Sequence, residues 1–262
     1  MINIQCNFRA KSLYMPMTIN VLLPSFFEHA ATEESLDDVY KDKQFSYKTL
    51  YLLHGGVEDA HSWLAYTNIE KYADKYKLAV VLPSVGNSFY TDLVHGPAYW
   101  TFVSEELPRF VQSVFPLSDK REDNFVAGLS MGGYGAFKMA LNHPDRYAAA
   151  ISLSGALDIV HVLTNPKMIR NTLEDYFENL DAVQGTYNDL FAQARKLKAA
   201  GAKIPRLYMA CGVDDFIYEV NQKYLKFLND EKIPVTYEEG PGAHEWNFWD
   251  KYLERSINWL FQ

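Results

Sequence analysis

The sequence predicts an α/β fold: a mostly parallel central sheet with helices on both faces. Three observations predict it. Short apolar runs at 47–53, 78–82, 124–129, 148–153, 206–211 and 235–239 have the length and composition of buried strands. Helical patterning lies between or after them, at 69–76, 104–115, 219–229 and 246–261, as parallel pairing requires. The stretch Phe125-Val-Ala-Gly-Leu-Ser-Met-Gly-Gly-Tyr-Gly-Ala-Phe137 reads as strand, sharp turn and helix with nothing between them.

In order along the chain, residues 1–24 alternate polar and apolar (Ile2, Ile4, Cys6, then Leu13, Met15, Met17, Ile19, Val21). Period two predicts an antiparallel pair of strands at a sheet edge, and Pro16 suits an edge because it donates nothing to a ladder. Residues 26–45 are charged and lack periodicity, so an exposed loop is expected, with Glu33-Glu34 and Asp37-Asp38 as solvated charge rather than a metal site. The strand at 47–53 runs directly into His54-Gly55-Gly56. An amphipathic helix at 69–76 precedes the strand at 78–82, which stops at Pro83. Residues 84–92 then form a loop at that strand's carboxyl end, where open α/β sheets bind ligands, so Phe89, Tyr90 and Asp92 are candidates for the wall of a cleft. The helix at 104–115 has Ser104 as expected N-cap, Glu105-Glu106 in its first turn, and Pro108 where a missing donor matters least. His143 precedes Pro144 in a helix-ending turn and reads as structural. Residues 156–205 carry helical patterning and are too long for a simple crossover. The expected arrangement is one domain, 1–262, with a helical cap inserted at 156–205 over the cleft; the plainer alternative is a pair of ordinary packed helices.

Composition narrows the class. Of 262 residues, 48% are hydrophobic, enough for a full core. Net charge is −8, from 25 basic and 33 acidic residues, which argues against nucleic-acid and anionic-membrane partners. Cys6 and Cys211 are the only cysteines, and two reduced thiols are expected. The first residues lack a charged segment followed by an apolar one, and no apolar run reaches membrane-spanning length. A cytoplasmic protein is the expectation. The abundant aromatic loops leave room for a homo-oligomer.

The chemistry centres on Gly128-Leu-Ser-Met-Gly132, which fits G-x-S-x-G. This pentapeptide is short enough to recur by chance; the apolar strand before it and the helix after it give it weight. Its alternative is a glycine-rich turn with an incidental serine. A serine hydroxyl needs a base within hydrogen-bond reach, and the base needs an orienting acceptor. His244 lies in a glycine-rich loop after the last strand, and Asp214-Asp215 follow the penultimate one. The competing histidines, His29, His61, His95 and His161, do not follow a late strand. Asp215 is preferred to Asp214 because Gly-x-x-Asp puts its carboxylate one turn past the strand. No His/Cys/Asp spacing of the kind a zinc site needs is present, and neither metal nor organic cofactor is expected.

Together Leu52-Leu-His-Gly-Gly56, Gly128-Leu-Ser-Met-Gly-Gly-Tyr-Gly-Ala136, Cys211-Gly-Val-Asp-Asp-Phe216 and His244-Glu-Trp246 resemble the esterase D-like branch of the α/β-hydrolases, closest to its tributyrin (acetyl) esterase group. The resemblance spans nearly the whole chain. It implies an α/β-hydrolase fold and a serine carboxylesterase for small, short-chain acyl esters. It makes Ser130 the nucleophile, His244 the base and Asp215 the acid. It places the oxyanion donors on the backbone N–H groups of Met131 and Gly56, with Gly55 the nearest rival for the second. Gly55, Tyr90 and Trp246 are the expected substrate contacts. Related alternatives are a feruloyl or acetyl-xylan carbohydrate esterase and an S-formylglutathione hydrolase-like thioesterase, although residues 54–60 lack the cysteine of that group's oxyanion loop. An acyltransferase and a non-catalytic binding protein on the same fold complete the set.

Overall fold

In a computed structural model, residues 1–25, 35–40, 46–168 and 173–262 are described. They form an eight-stranded sheet in the order β1-β2-β4-β3-β5-β6-β7-β8. The elements are β1 (Ile2–Ala10), β2 (Met15–Leu23), α1 (Leu36–Tyr40), β3 (Thr49–Leu53), α2 (Ser62–Tyr66), α3 (Ile69–Lys75), β4 (Ala79–Pro83), α4 (Tyr99–Thr101), α5 (Leu107–Val114), β5 (Asn124–Leu129), α6 (Met131–Asn142), β6 (Ala149–Leu153), α7 (Ile159–Leu163), α8 (Leu190–Ala199), β7 (Arg206–Gly212), α9 (Tyr218–Asp230), β8 (Val235–Gly240) and α10 (Trp246–Leu260). The first two strands pair antiparallel, and β2 also runs antiparallel to β4. From β4 to β8 every pairing is parallel. β1 is the edge, and Pro16 on β2 lies beyond the residues that pair with β4, so its missing donor costs no ladder bond there.

Strands β3 to β6 are buried along their whole length, because helices cover both faces. Alternate residues feed two cores. Leu50, Leu52, Ala127, Ile151 and Tyr208 pack with α3 and α10 through Ile69, Tyr72, Leu253 and Ile257. Tyr51, Leu53, Val126, Ala150 and Met209 face the other side with α5, α6, α8 and α9, through Val111, Phe137, Ala194 and Tyr224. The chain crosses from β3 to β4 on one side and later to β5 on the other. The carboxyl ends of β3 and β5 are therefore the topological switch point of the sheet.

Three expectations change. The loop expected at 26–45 contains the short helix α1, with Val39 buried; residues 26–34 and 41–45, including Glu33 and Glu34, lie outside the described residues. The helix expected to start at Ser104 starts at Tyr99. The Asp92 carboxylate accepts the Thr101 N–H at 2.9 Å and its hydroxyl at 2.7 Å, capping the helix from the preceding loop. Phe102–Glu106 is a π-helical turn between α4 and α5. Pro108 has no N–H to offer Ser104, whose carbonyl instead accepts Arg146 Nη1 at 2.7 Å. The segment 156–205 also divides. Its last helix, α8, is N-capped by Asp189 and buries Leu190 and Ala194 in the same core as α6, so it is an ordinary crossover helix. The excursion before it carries α7 and short 3₁₀ turns at Leu173–Asp175 and Leu180–Ala182.

β5 and α6 approach each other backbone to backbone. A Cβ added to Gly128 meets the Gly132 carbonyl oxygen at 2.3 Å and its carbon at 2.4 Å. Neither backbone can yield without moving the strand or the helix. Gly128→Ala is expected to cost about 1–3 kcal/mol, as overpacking does. That is a fall in Tm of roughly 2–4 °C per kcal/mol for a chain of this size, read by calorimetry. An unchanged Tm would show that the two backbones separate freely.

Candidate active site

Ser130 joins β5 to α6 in a strained conformation, φ 52° and ψ −117°. The strain is held by hydrogen bonds on both sides. Ser130 N–H donates to the Leu153 carbonyl at 2.9 Å, and its own carbonyl accepts the N–H groups of Tyr134 and Ala156. Gly132 completes the turn: a Cβ there would sit 2.3 Å from the Leu53 oxygen and 2.6 Å from that of His54. The amino end of α6 is thus pressed onto the end of β3. Leu129 and Met131 are buried, while Ser130 between them remains partly open.

The histidine and its acid come from the two strands beyond β6. His244 Nδ1 lies 3.0 Å from each oxygen of Asp215. Asp215 is only 5% exposed, and its Oδ1 also accepts the Ile217 N–H at 3.0 Å. A buried carboxylate flanking Nδ1 assigns the ring proton to that nitrogen and leaves the Nε2 lone pair available as a base. Asp214 is exposed and contributes its backbone: its N–H donates to Gly242 at 3.1 Å, and Val213 N–H donates to Gly240 at 3.0 Å. These bonds tie the acid-bearing loop to the histidine-bearing loop. The His244 ring sits between Phe216, 4.6 Å away, and Trp249, 4.8 Å away and perpendicular.

The loop after β3 is fixed by side chains that local sequence does not advertise. His54 is fully buried. Its Nδ1 is 2.7 Å from the Gly55 carbonyl and its Nε2 accepts the Val85 N–H at 3.0 Å, so the ring is the neutral Nδ1–H tautomer. Asn87 Oδ1 accepts the Val57 N–H at 2.6 Å, and Val57 is held at φ 57°, a costly conformation for a β-branched residue. Gly56, Ser130 and His244 line one cavity of ≈ 410 Å³ together with Val57, Leu129, Trp246 and Trp249; Glu58 and Glu245 also line it. Met131 N–H lies in the first turn of α6, where no helical carbonyl precedes it.

Trp246 therefore stands where a substrate contact was expected, stacked on Tyr66 at 5.0 Å. Two other expected contacts do not reach the cavity. Tyr90 is fully buried, because φ 50° turns the chain inward; its hydroxyl donates to the His54 carbonyl at 2.9 Å. Gly55 is buried behind the loop, against Leu129, which leaves Gly56 as the glycine at the cavity. Phe89 is buried as well, and Asp92 is the helix cap described above. His61, His95 and His161 are exposed and His143 is half-buried against Trp100; none lines the cavity, and His29 lies outside the described residues.

A family model described as "Putative esterase" matches residues 10–260, nearly the whole chain. The chain belongs to this esterase family. It is 38% identical to an acetyl esterase of Caldicellulosiruptor saccharolyticus over 98% of this chain and 97% of that one. Among solved structures it is similar to FphF, a fluorophosphonate-binding serine hydrolase of Staphylococcus aureus, at TM-score 0.87 and 34% identity, covering 100% of this chain and 98% of that one. It is also similar to the S-formylglutathione hydrolase FrmB of the same species, at TM-score 0.83 and 34% identity, covering 100% and 99%. The esterase accordingly has the α/β-hydrolase fold and is a serine carboxylesterase. Among the described residues no helix is long and apolar enough to cross a membrane.

His54 gives this site a pH-dependent foundation. Burial holds its imidazole below the ordinary value of 6.5, outweighing the Gly55 carbonyl and the Asp59 and Glu58 carboxylates, which pull upward. Its folded pKa lies below its unfolded one, so the unfolded chain binds the extra proton. The His54 contribution is complete above pH 6.5 and is lost as pH falls toward the lowered value. Urea unfolding is expected to show a stability loss approaching about 1.4 kcal/mol per pH unit in that window, and His54→Gln should flatten it. Equal slopes in the two proteins would show that His54 does not report on this loop.

Proposed function

We propose that the esterase hydrolyses short-chain acyl esters of the acetyl type by a two-step acyl transfer, with Ser130 as nucleophile, His244 as base and Asp215 as the acid that orients it. The observation that carries this reading is the pairing of His244 Nδ1 with both Asp215 oxygens beside the cavity that Ser130 lines. As Ser130 Oγ attacks the ester carbonyl, its proton passes to His244 Nε2. The imidazolium that forms is stabilised by Asp215. The Met131 and Gly56 N–H groups are the donors for the oxyanion, and such donors are typically worth ~10²–10³ in kcat each. The tetrahedral intermediate collapses, His244 returns the proton to the departing alcohol, and water hydrolyses the acyl-enzyme by the same route.

The cavity supports a small acyl group. At ≈ 410 Å³ it lies toward the lower end of ligand sites, and Val57, Leu129 and the two tryptophans give it apolar surface. The similarity to an acetyl esterase over the full chain points the same way. A thioester reading is favoured by one observation, the likeness to an S-formylglutathione hydrolase. It uses the same acyl-enzyme and differs only in the leaving group. The excursion at 156–189 is part of this proposal as a cap that shapes substrate choice. Cys6 and Cys211 are free thiols, in keeping with a cytoplasmic site of action.

Fluorophosphonate treatment followed by intact mass is expected to give one adduct, absent in Ser130→Ala together with turnover of p-nitrophenyl acetate. Asp215→Asn should lower kcat by roughly 10⁴, whereas Asp214→Asn should remain within a few-fold of wild type. Acetate and butyrate esters should outrun octanoate, and S-formylglutathione assayed beside them decides between ester and thioester. No adduct and no turnover on any of them would end the serine-hydrolase assignment of Ser130.

A further inference from the structure

Two consecutive aromatic residues, Phe89 and Tyr90, hold left-handed backbone conformations, φ 48° and φ 50°. Neither is a glycine, and such strain persists only where the surroundings over-determine it. Here the surroundings are the two arms of the oxyanion site. Phe89 N–H donates to Met131 Sδ at 3.2 Å. Tyr90 hydroxyl donates to the His54 carbonyl at 2.9 Å, two residues before Gly56. One dipeptide therefore touches both the residue that carries one donor and the loop that carries the other.

Helix α6 is built to receive that dipeptide. Met131, Gly135 and Lys138 lie at spacings of four and three, on one face. A Cβ on Gly135 would sit 2.5 Å from Tyr90 Cδ2, so the missing side chain is the space the ring occupies. Lys138 is fully buried, and its Nζ donates to the Tyr90 carbonyl and to Thr91 Oγ1, each at 2.9 Å. The same ammonium lies 4.5 Å from the Trp100 ring centroid and 5.1 Å from that of Tyr187. The helix that begins at the nucleophile thus also grips, two turns later, the backbone that props the opposite loop.

We infer that the Phe89–Tyr90 pair is a brace that sets the separation of the two oxyanion donors, with Tyr90 as a positioning residue of the hydrolysis and Lys138 as its anchor. The inference rests on the proposed assignment of the donors to Met131 and Gly56. Tyr90 touches no substrate; it acts through the His54 carbonyl. A donor displaced by a fraction of an ångström still admits the ester and fails the tetrahedral oxyanion.

The test is Tyr90→Phe, which keeps the ring against Gly135 and removes one hydroxyl. For p-nitrophenyl acetate, kcat is expected to fall about 10- to 100-fold while KM moves less than about twofold. Affinity for a trifluoromethyl ketone, which mimics the tetrahedral state, should fall by the same factor as kcat. Tyr134→Phe is the control: it removes a similar buried bond from the same helix, to the Asn188 carbonyl at 2.8 Å, away from the oxyanion loop. It should lower Tm and leave kcat within about twofold. If Tyr90→Phe does not fold, Met131→Leu removes the sulfur that holds Phe89 and keeps the backbone donor. It should then lower kcat at constant KM. Unchanged kcat in whichever of the two folds, or losses in Tyr90→Phe and Tyr134→Phe that track Tm alone, would overturn the brace. A wild-type fluorophosphonate adduct at Ser130 separates that failure from failure of the proposed function, which would give no adduct.

Discussion

The approach of two backbones sets the rest of this site. α6 begins so close to the ends of β3 and β5 that Gly132 lies against the Leu53 and His54 carbonyls, and Gly128 against Gly132. Any side chain there pushes the helix off the sheet. The closeness brings the amino end of α6, with its unpaired N–H groups and positive dipole end, to the switch point of the sheet. It also forces Ser130 into a conformation of the kind that costs on the order of 1–3 kcal/mol. The hydrogen bonds from Ser130 to Leu153 and from Tyr134 and Ala156 to Ser130 offset that strain.

The remaining groups are brought in by the parallel register. β6 pairs with both β5 and β7, and β7 pairs with β8, so the loops bearing Asp215 and His244 open at the same sheet end as Ser130. Parallel pairing alone does not orient an imidazole. That falls to Asp215, to the backbone bonds from Val213 and Asp214, and to the packing of the ring between Phe216 and Trp249. Three short contacts meet the oxygens of buried Asp215: His244 Nδ1 at each, and Ile217 N–H at one. Removing any of these would leave a carboxylate facing apolar surroundings with part of its demand unmet.

Much of this was legible in the sequence. Strands β3 to β6 are buried on both faces, and burial of that kind writes itself as short unbroken apolar runs. The Gly-x-x-Asp spacing favoured Asp215 over Asp214, and Asp215 is the carboxylate that meets His244. What escaped reading has one physical cause, which is that its determinants are distant side chains. The helix at Tyr99 is capped by Asp92, outside any local capping pattern. Tyr90 occupies a loop position that faces ligands in open sheets, but a left-handed non-glycine conformation turns it inward, and no local residue pattern marks that. His54 looked like part of a glycine-rich turn and is a buried staple between two loops.

Lys138 is the sharpest case. A lysine inside Tyr134-Gly-Ala-Phe-Lys-Met-Ala-Leu141 normally marks the solvent face of a helix, yet here the residue is fully buried. Burial pushes its ammonium well below the ordinary lysine range, with Asp92 pulling the other way. An apolar side chain would fill the volume without that cost, but it would leave the Tyr90 carbonyl and the Thr91 hydroxyl without their donor. The Tyr90 carbonyl belongs to a strained residue, and Lys138 is the α6 side chain that donates to it. The aromatic rings of Trp100 and Tyr187 lower the cost of the charge where water is excluded. Tyr187 and Asn188 come from the end of the excursion that precedes α8, and Asn188 meets both Tyr134 and Thr91. The buried charge that holds the Tyr90–Thr91 loop therefore also lies against the end of the excursion that precedes α8.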